Sequence, residues 1–288
     1  MKINSLIKQI KKTLYDLFVL IEIRKFKLSN KKLLEPKSIS KSNIPVYFIN
    51  LDRSIDRKKS VLPELKKYFK NYNRIEAVDG KTITNSLFTN KTNLFKYDLE
   101  EFKNDKNISS SVIGCLLSHM KTIDKIQKDK CEYALVIEDD VSLRFINQWG
   151  ITLDEIVEEA PEDFEVLKIH SYKTLQNLKL LNKNVKYRKL DREPNKEWSA
   201  AAYILSNKGV ENAMSYIKNQ TFSFNKMDSK MMVADYFLWR INKTYDFTQP
   251  LIYSVDHAST LGTKDHQQRR LNKYLKTLYN FNLPCHTS

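Results

Sequence analysis

The chain has 288 residues, of which 41% are hydrophobic and 29% charged, and 49 Lys+Arg against 34 Asp+Glu give a formal net charge of +15. This is the composition of a folded chain of one large or two modest domains, and it excludes a disordered one. Only five glycines are present (Gly80, Gly114, Gly150, Gly209, Gly262), no two within ten residues, which excludes both a P-loop and a dinucleotide fingerprint.

Residues 1–43 carry a net charge of +8, about half of the whole excess. Within them Ile3, Leu6, Ile7, Ile10, Leu14, Leu17, Phe18 and Ile21 recur at helical spacing, with Lys2, Lys8, Lys11 and Lys12 mostly between them. A basic amphipathic helix of this kind suits an anionic membrane surface, and equally a helix packed on its own domain. The apolar run Leu17–Ile21 is shorter than a signal-peptide core, and no small-residue cleavage site follows it. No stretch approaches the ~20 apolar residues of a spanning helix. The expectation is a cytoplasmic protein, peripheral on the membrane face if the helix binds there. Three scattered cysteines (Cys115, Cys131, Cys285) fit free thiols in a reducing compartment rather than a disulfide framework or a zinc site.

Residues 29–43 read as a linker, and the domain proper is expected over 44–288. IPVYFINL (44–51) is a buried strand, with Asp52 or Ser54 capping the helix that follows. Residues 74–78 are a second strand closed by Asp79-Gly80, and 81–108 a loop region with short helices. Ser109–Ser111 start a helix to about Gln127, and EYALVI (132–137) is another buried strand. A helix near 150–159, a strand at 164–170, a hairpin or loop at 171–197 and a strand at 201–206 come next. A helix from Asn207 to Ile217, one over 231–241, a strand at 251–255 and a basic helix over 266–280 complete the pattern. Strands alternating with helices indicate a layered α/β domain.

Glu138-Asp139-Asp140 ends the strand at 132–137. Residues two apart on an extended chain point the same way, so Glu138 and Asp140 project together. Crowded carboxylates repel unless a cation lies between them, and hard oxygen ligands suit Mg²⁺ or Mn²⁺ bridging to a diphosphate. A metal would then replace the missing glycine cradle. The other reading is a solvated acidic turn capping the next helix.

PVYFINLDRSIDRK (45–58), RIEAVDGK (74–81), IGCLLSH (113–119), YALVIEDDV (133–141), WSAAAYILSNKG (198–209) and VADYFL (233–238) follow in order. Together they resemble glycosyltransferase family 25, the lipooligosaccharide and procollagen galactosyltransferase group, over about 44–262. The resemblance implies a GT-A-like Rossmann-type α/β domain with a mixed, mostly parallel sheet. It also implies a UDP-sugar donor, Mn²⁺ or Mg²⁺, and an inverting transfer of a hexose, galactose or glucose, to a glycan, lipooligosaccharide or protein hydroxyl.

By motif, Asp140 and Glu138 are the metal contacts, with Asp139 on the donor side. Asn50, Asp52 and Arg53, at the end of the first strand, fall where base and ribose would sit. Arg53 suits phosphate or a carboxylate, the alternative being a helix cap with a solvated Arg. Asp79 is a further donor candidate or an ordinary Asp-Gly turn. Ser118-His119 sits on a helical face beside Cys115, and His119 either bonds the donor or is a structural histidine. Asp235 is the expected base that takes the acceptor's proton, against a surface or acceptor-anchoring Asp. Trp198 and Tyr203 offer faces to sugar rings or fill the core, and His257 is an expected further metal ligand. A catalytically inactive membrane-associated relative and a basic nucleic-acid-binding protein are the competing readings. No recognition motif supports the second, and no nucleic-acid partner is expected.

Overall fold

The computed structural model describes residues 2–29, 41–83, 109–191, 199–218, 221–222, 229–254 and 274–279. In chain order the first elements are α1 (Lys2–Ser29), β1 (Val46–Asn50), α2 (Ile55–Tyr68), β2 (Tyr72–Glu76), α3 (Ser110–Asp129) and β3 (Tyr133–Glu138). Next come β4 (Val141–Ser142), α4 (Leu153–Glu158), β5 (Val166–Lys168), α5 (Thr174–Leu181), β6 (Tyr187–Lys189) and β7 (Ala202–Ser206). The chain continues with α6 (Asn207–Met214), β8 (Ile217–Lys218), β9 (Thr221–Phe222), α7 (Ala234–Ile241), β10 (Thr244–Phe247) and β11 (Tyr253–Ser254).

Seven strands form one sheet in the order β2-β1-β3-β7-β5-β10-β6. Alternation along the central strands divides the interior in two. Val46 and Phe48, Leu135 and Ile137, and Ala202 and Ile204 face one core. It is closed by apolar residues of α1, α2, α4, α5 and the helical turn at 274–278. Tyr47 and Ile49, Ala134 and Val136, and Tyr203 and Leu205 face the other, with α3, α6 and α7. The architecture is therefore helix, sheet, helix.

The sheet is mixed but not mostly parallel. β1 pairs in parallel with β2 and β3, and β5 with β10. β7 runs against both β3 and β5, and β6 runs against β10. The buried run AYILS carries no mark of direction. A central strand covered on both faces has the same apolar composition whether it pairs parallel or antiparallel.

α1 has two apolar sides. Val19, Ile23 and Phe26 are buried in the first core. Around them Tyr274 donates to Asp16 at 2.6 Å, Asn182 Nδ2 to Glu22 Oε2 at 2.7 Å, and Lys27 Nζ to the Thr277 carbonyl at 2.7 Å. The stripe read from the sequence is a different one: Leu6, Ile7, Ile10, Leu14, Leu17, Phe18 and Ile21 are all exposed. Among the described residues no helix is long and apolar enough to cross a membrane.

Candidate active site

The site is assembled at the carboxyl ends of β1 and β3, where open α/β sheets bind ligands. The register pairs Ile49 with Glu138, which brings Asn50 alongside the turn at Asp139. Asn50 is buried and donates from Nδ2 to Asp139 Oδ2 at 2.6 Å and to the Ser54 carbonyl at 3.1 Å. Its Oδ1 accepts from Arg74 Nε at 3.0 Å. Arg57 NH1, on the first turn of α2, donates to Asp139 Oδ1 at 2.8 Å. Both Asp139 oxygens are thereby taken, so Asp139 ties β3 to β1 and α2.

The other two carboxylates of the triplet have different surroundings. Glu138 Oε1 lies 3.2 Å from His119 Nε2. Asp140 Oδ1 is buried and has no hydrogen-bond partner. Burial and then the neighbouring Glu138 charge push the Asp140 carboxyl up to about 7, with Arg57 opposing. An orphaned carboxylate oxygen beside a second carboxylate is what a divalent cation would satisfy.

The rim carries two ion pairs. Arg53 Nε donates to Asp79 Oδ2 at 2.7 Å and its NH2 to Oδ1 at 3.3 Å, joining the β1 end to the 79–80 turn. Arg53 holds the Asp79 carboxyl below its ordinary range. Arg74 likewise pairs with the exposed Asp52 and holds it low. Of the two partners that suit the Arg53 guanidinium, phosphate or a carboxylate, the protein itself supplies a carboxylate.

α3 and α7 supply the inner wall. Ser109 caps α3 by accepting from Val112 N at 3.4 Å. Ser118 Oγ donates to the Gly114 carbonyl at 2.6 Å and accepts from Val78 N at 2.8 Å, so it pins the β2–α3 connection rather than pointing outward. His119 is buried, and its Nδ1 lies 2.9 Å from the Tyr203 hydroxyl. A ring nitrogen of His119, Cys115 Sγ and a Glu138 oxygen all lie within 4.8 Å of one another, which forms a cluster able to hold a metal ion. Burial and then Glu138 push the Cys115 thiol well up, so it stays protonated unless a cation displaces the proton.

Asp235 stands on the first turn of α7. Its carboxylate accepts from Ser199 N and, at 3.0 Å, from Ala200 N. Burial raises its pKa, the Ser199 hydrogen bond opposes, and Glu138 raises it again. Tyr203 is fully buried, edge-on to Trp239, and offers no face to a sugar. Trp198 and His257 lie outside the described residues.

Four participants escaped the sequence reading: Arg57, Arg74, the Tyr203 hydroxyl and the Cys115 thiol. Arg57 had a usable signal, since it follows Arg53 in DRSIDRK and lies within the first turn of α2, just past the end of the first strand. Cys115 had one too, four residues before His119 on α3. Arg74 and the Tyr203 hydroxyl depend on contacts 22 to 84 residues apart in sequence.

The profile of glycosyltransferase family 25, described as an LPS biosynthesis protein family, matches residues 43–237. Procollagen galactosyltransferase 2 of Mus musculus is 32% identical over 133 residues, 43% of this chain and 20% of that protein. The Homo sapiens protein of the same name is 29% identical over 127 residues, with the same 43% and 20% shares. The matched part spans about a fifth of the length of these relatives. A solved glycosyltransferase involved in glycosylation of the major capsid of PBCV-1 aligns with a TM-score of 0.40 and 9% identity, over 81% of this chain and 99% of that one.

Proposed function

Because this chain belongs to glycosyltransferase family 25 and is a glycosyltransferase, we propose that it moves a hexose from a UDP-sugar, with inversion, to a hydroxyl of a glycan, a lipooligosaccharide or a protein. Galactose is the first choice of sugar, in line with the names of the relatives, and glucose the second. The fold is read as GT-A-like. The observation that carries the reading is the Glu138/Asp140 pair at the carboxyl end of β3, with a buried Asp140 oxygen that has no partner.

Mn²⁺ or Mg²⁺ fits this pair better than the Cys115–His119–Glu138 cluster. Cys115 is held as a thiol, and both His119 nitrogens already face partners. Glu138 and Asp140 would hold the ion, and when bound it would offset the charge of the departing diphosphate. Asn50, Arg57 and Asp139 position that carboxylate turn. His119, backed by Tyr203, fixes the direction of Glu138.

Asp235 is assigned the base. The acceptor oxygen forms the new bond to the anomeric carbon as the bond to the UDP oxygen breaks, and the acceptor's proton passes to Asp235. A raised carboxyl pKa suits that task, because it makes the carboxylate a stronger base. Asp52 and the Arg53–Asp79 pair line the rim where the uridine would enter.

The test is UDP release across a panel of nucleotide sugars with Mn²⁺, Mg²⁺ or a chelator. Release from a UDP-hexose that requires the metal is expected. Folded protein that releases UDP from none of them overturns the reading in favour of an inactive relative.

A further inference from the structure

The outer side of α1 and the cleft beside it lie apart from the site, and they belong together. At 100° per residue, Ile10, Leu14, Leu17, Phe18 and Ile21 fall on one stripe, roughly half a turn from the buried Val19, Ile23 and Phe26. A helix needs one apolar side to pack on its domain, and here that need is already met. The second stripe exposes 39% to 52% of each of those five side chains to water. A contiguous apolar surface of this kind marks an interaction site.

A cleft of about 410 Å³ opens where α1 meets α5, with Tyr15, Leu175 and Leu180 among its walls and Lys173, Lys179 and Lys183 around it. Lys179 and Lys183 are exposed. Lys11 and Arg24 add exposed positive charge on either side of the stripe, and the acidic residues of α1 are Asp16 and Glu22. Each of those two already has a partner inside the protein, Tyr274 and Asn182. The surface therefore combines an apolar stripe with flanks in which exposed cationic side chains outnumber acidic ones, the pattern that binds the boundary between acyl chains and acidic headgroups.

We propose that this face docks on an anionic phospholipid bilayer. The α1 stripe lies in the interface, and the cleft lysines at 173, 179 and 183 receive an acidic headgroup. The second half of α1 stays on the domain throughout, so the enzyme is held flat against the surface rather than on a tether.

The test is co-sedimentation of the full chain with vesicles of phosphatidylcholine, with and without phosphatidylglycerol. Binding is expected only with the acidic lipid, and it should weaken with salt. I10E/L14E should abolish it, and K179Q/K183Q should lower affinity about 25-fold, from about fivefold per lysine. All these positions are exposed, so circular dichroism and basal UDP release should be unchanged, which separates this outcome from failure of the transferase reading. Wild-type protein that ignores acidic vesicles overturns the proposal. So does binding unaffected by either variant, or a dimer seen by light scattering that I10E/L14E dissociates.

Discussion

Gly114 on α3 lies against Gly80 so closely that a Cβ at 114 would fall 2.8 Å from the Gly80 nitrogen and 2.8 Å from the Val78 carbonyl oxygen. Both neighbours are backbone and cannot move aside alone. The two glycines let the turn after β2 rest directly on the first turns of α3, where Ser118 then fastens it. Gly114→Ala should destabilise the protein by about 1 to 3 kcal/mol through overpacking. Chemical denaturation checks this, and an unchanged midpoint would contradict the contact.

The Arg57–Asp139 pair is nearly buried, with side-chain exposures of 13% and 9%. Arg57→Met leaves the Asp139 carboxylate with the Asn50 hydrogen bond and the more distant Arg53 charge, so a loss of about 3 kcal/mol is expected. Adding Asp139→Asn removes the stranded charge and should recover part of it. Equal stability of the single and double variants would show that the pair is not coupled.

Asp140→Asn keeps the shape of the side chain and removes the charge. Divalent-dependent UDP release should disappear, together with any rise in Tm on adding Mn²⁺. In chelator the variant should melt no lower than the wild type, because the carboxylate it replaces has a buried oxygen with no partner. A variant that still gains stability from Mn²⁺ would move the ion to another residue set.

Asp235 has two roles that separate by substitution. Asp235→Asn retains bulk and an acceptor oxygen toward Ser199 or Ala200, yet cannot take a proton. A loss in kcat of about 10² to 10⁴ with little change in donor KM is expected. A stable variant with full kcat would leave Asp235 only as a clasp between α7 and the entry to β7.

His170 gives a pH signature from behind the site, through the same Ser199 whose backbone N–H bonds Asp235. It is buried, lies 2.6 Å from the Ser199 hydroxyl through Nδ1 and meets Tyr172 edge-on. Burial and then the neighbouring Lys168 hold its pKa down at about 3, against an ordinary 6.5. The unfolded chain therefore binds a proton below pH 6.5 that the folded chain refuses. Its contribution to stability is present above 6.5 and is lost as pH falls toward 3, at up to about 1.4 kcal/mol per unit. Urea midpoints between pH 4 and 7 should slope less steeply for His170→Gln than for the wild type.

Strands whose buried runs are short and apolar were plain in the sequence, as β1, β3 and β7 show. β10 was not, because TYDF contains Asp246, a fully buried carboxylate. It is tolerated only because Arg188 and Asn177 donate to it at 2.8 and 2.9 Å from β6 and α5. Local composition cannot reveal a partner 58 or 69 residues away. The same limit governs the site. The acidic triplet stands out as three adjacent letters, whereas the division of labour within it comes from which neighbour reaches each carboxylate.

The attachment of α1 bears on how this protein can be handled. Composition invites a cut at residue 44 to obtain a tidier, less basic fragment. Such a cut removes Val19, Ile23 and Phe26, which together contribute on the order of 4 to 9 kcal/mol of apolar burial. That is comparable with the whole margin of a typical domain, about 5 to 15 kcal/mol. A shortened version that aggregates would therefore report a missing wall of the interior. Tags and fusion partners belong ahead of the helix, where its first turns project beyond the packed half.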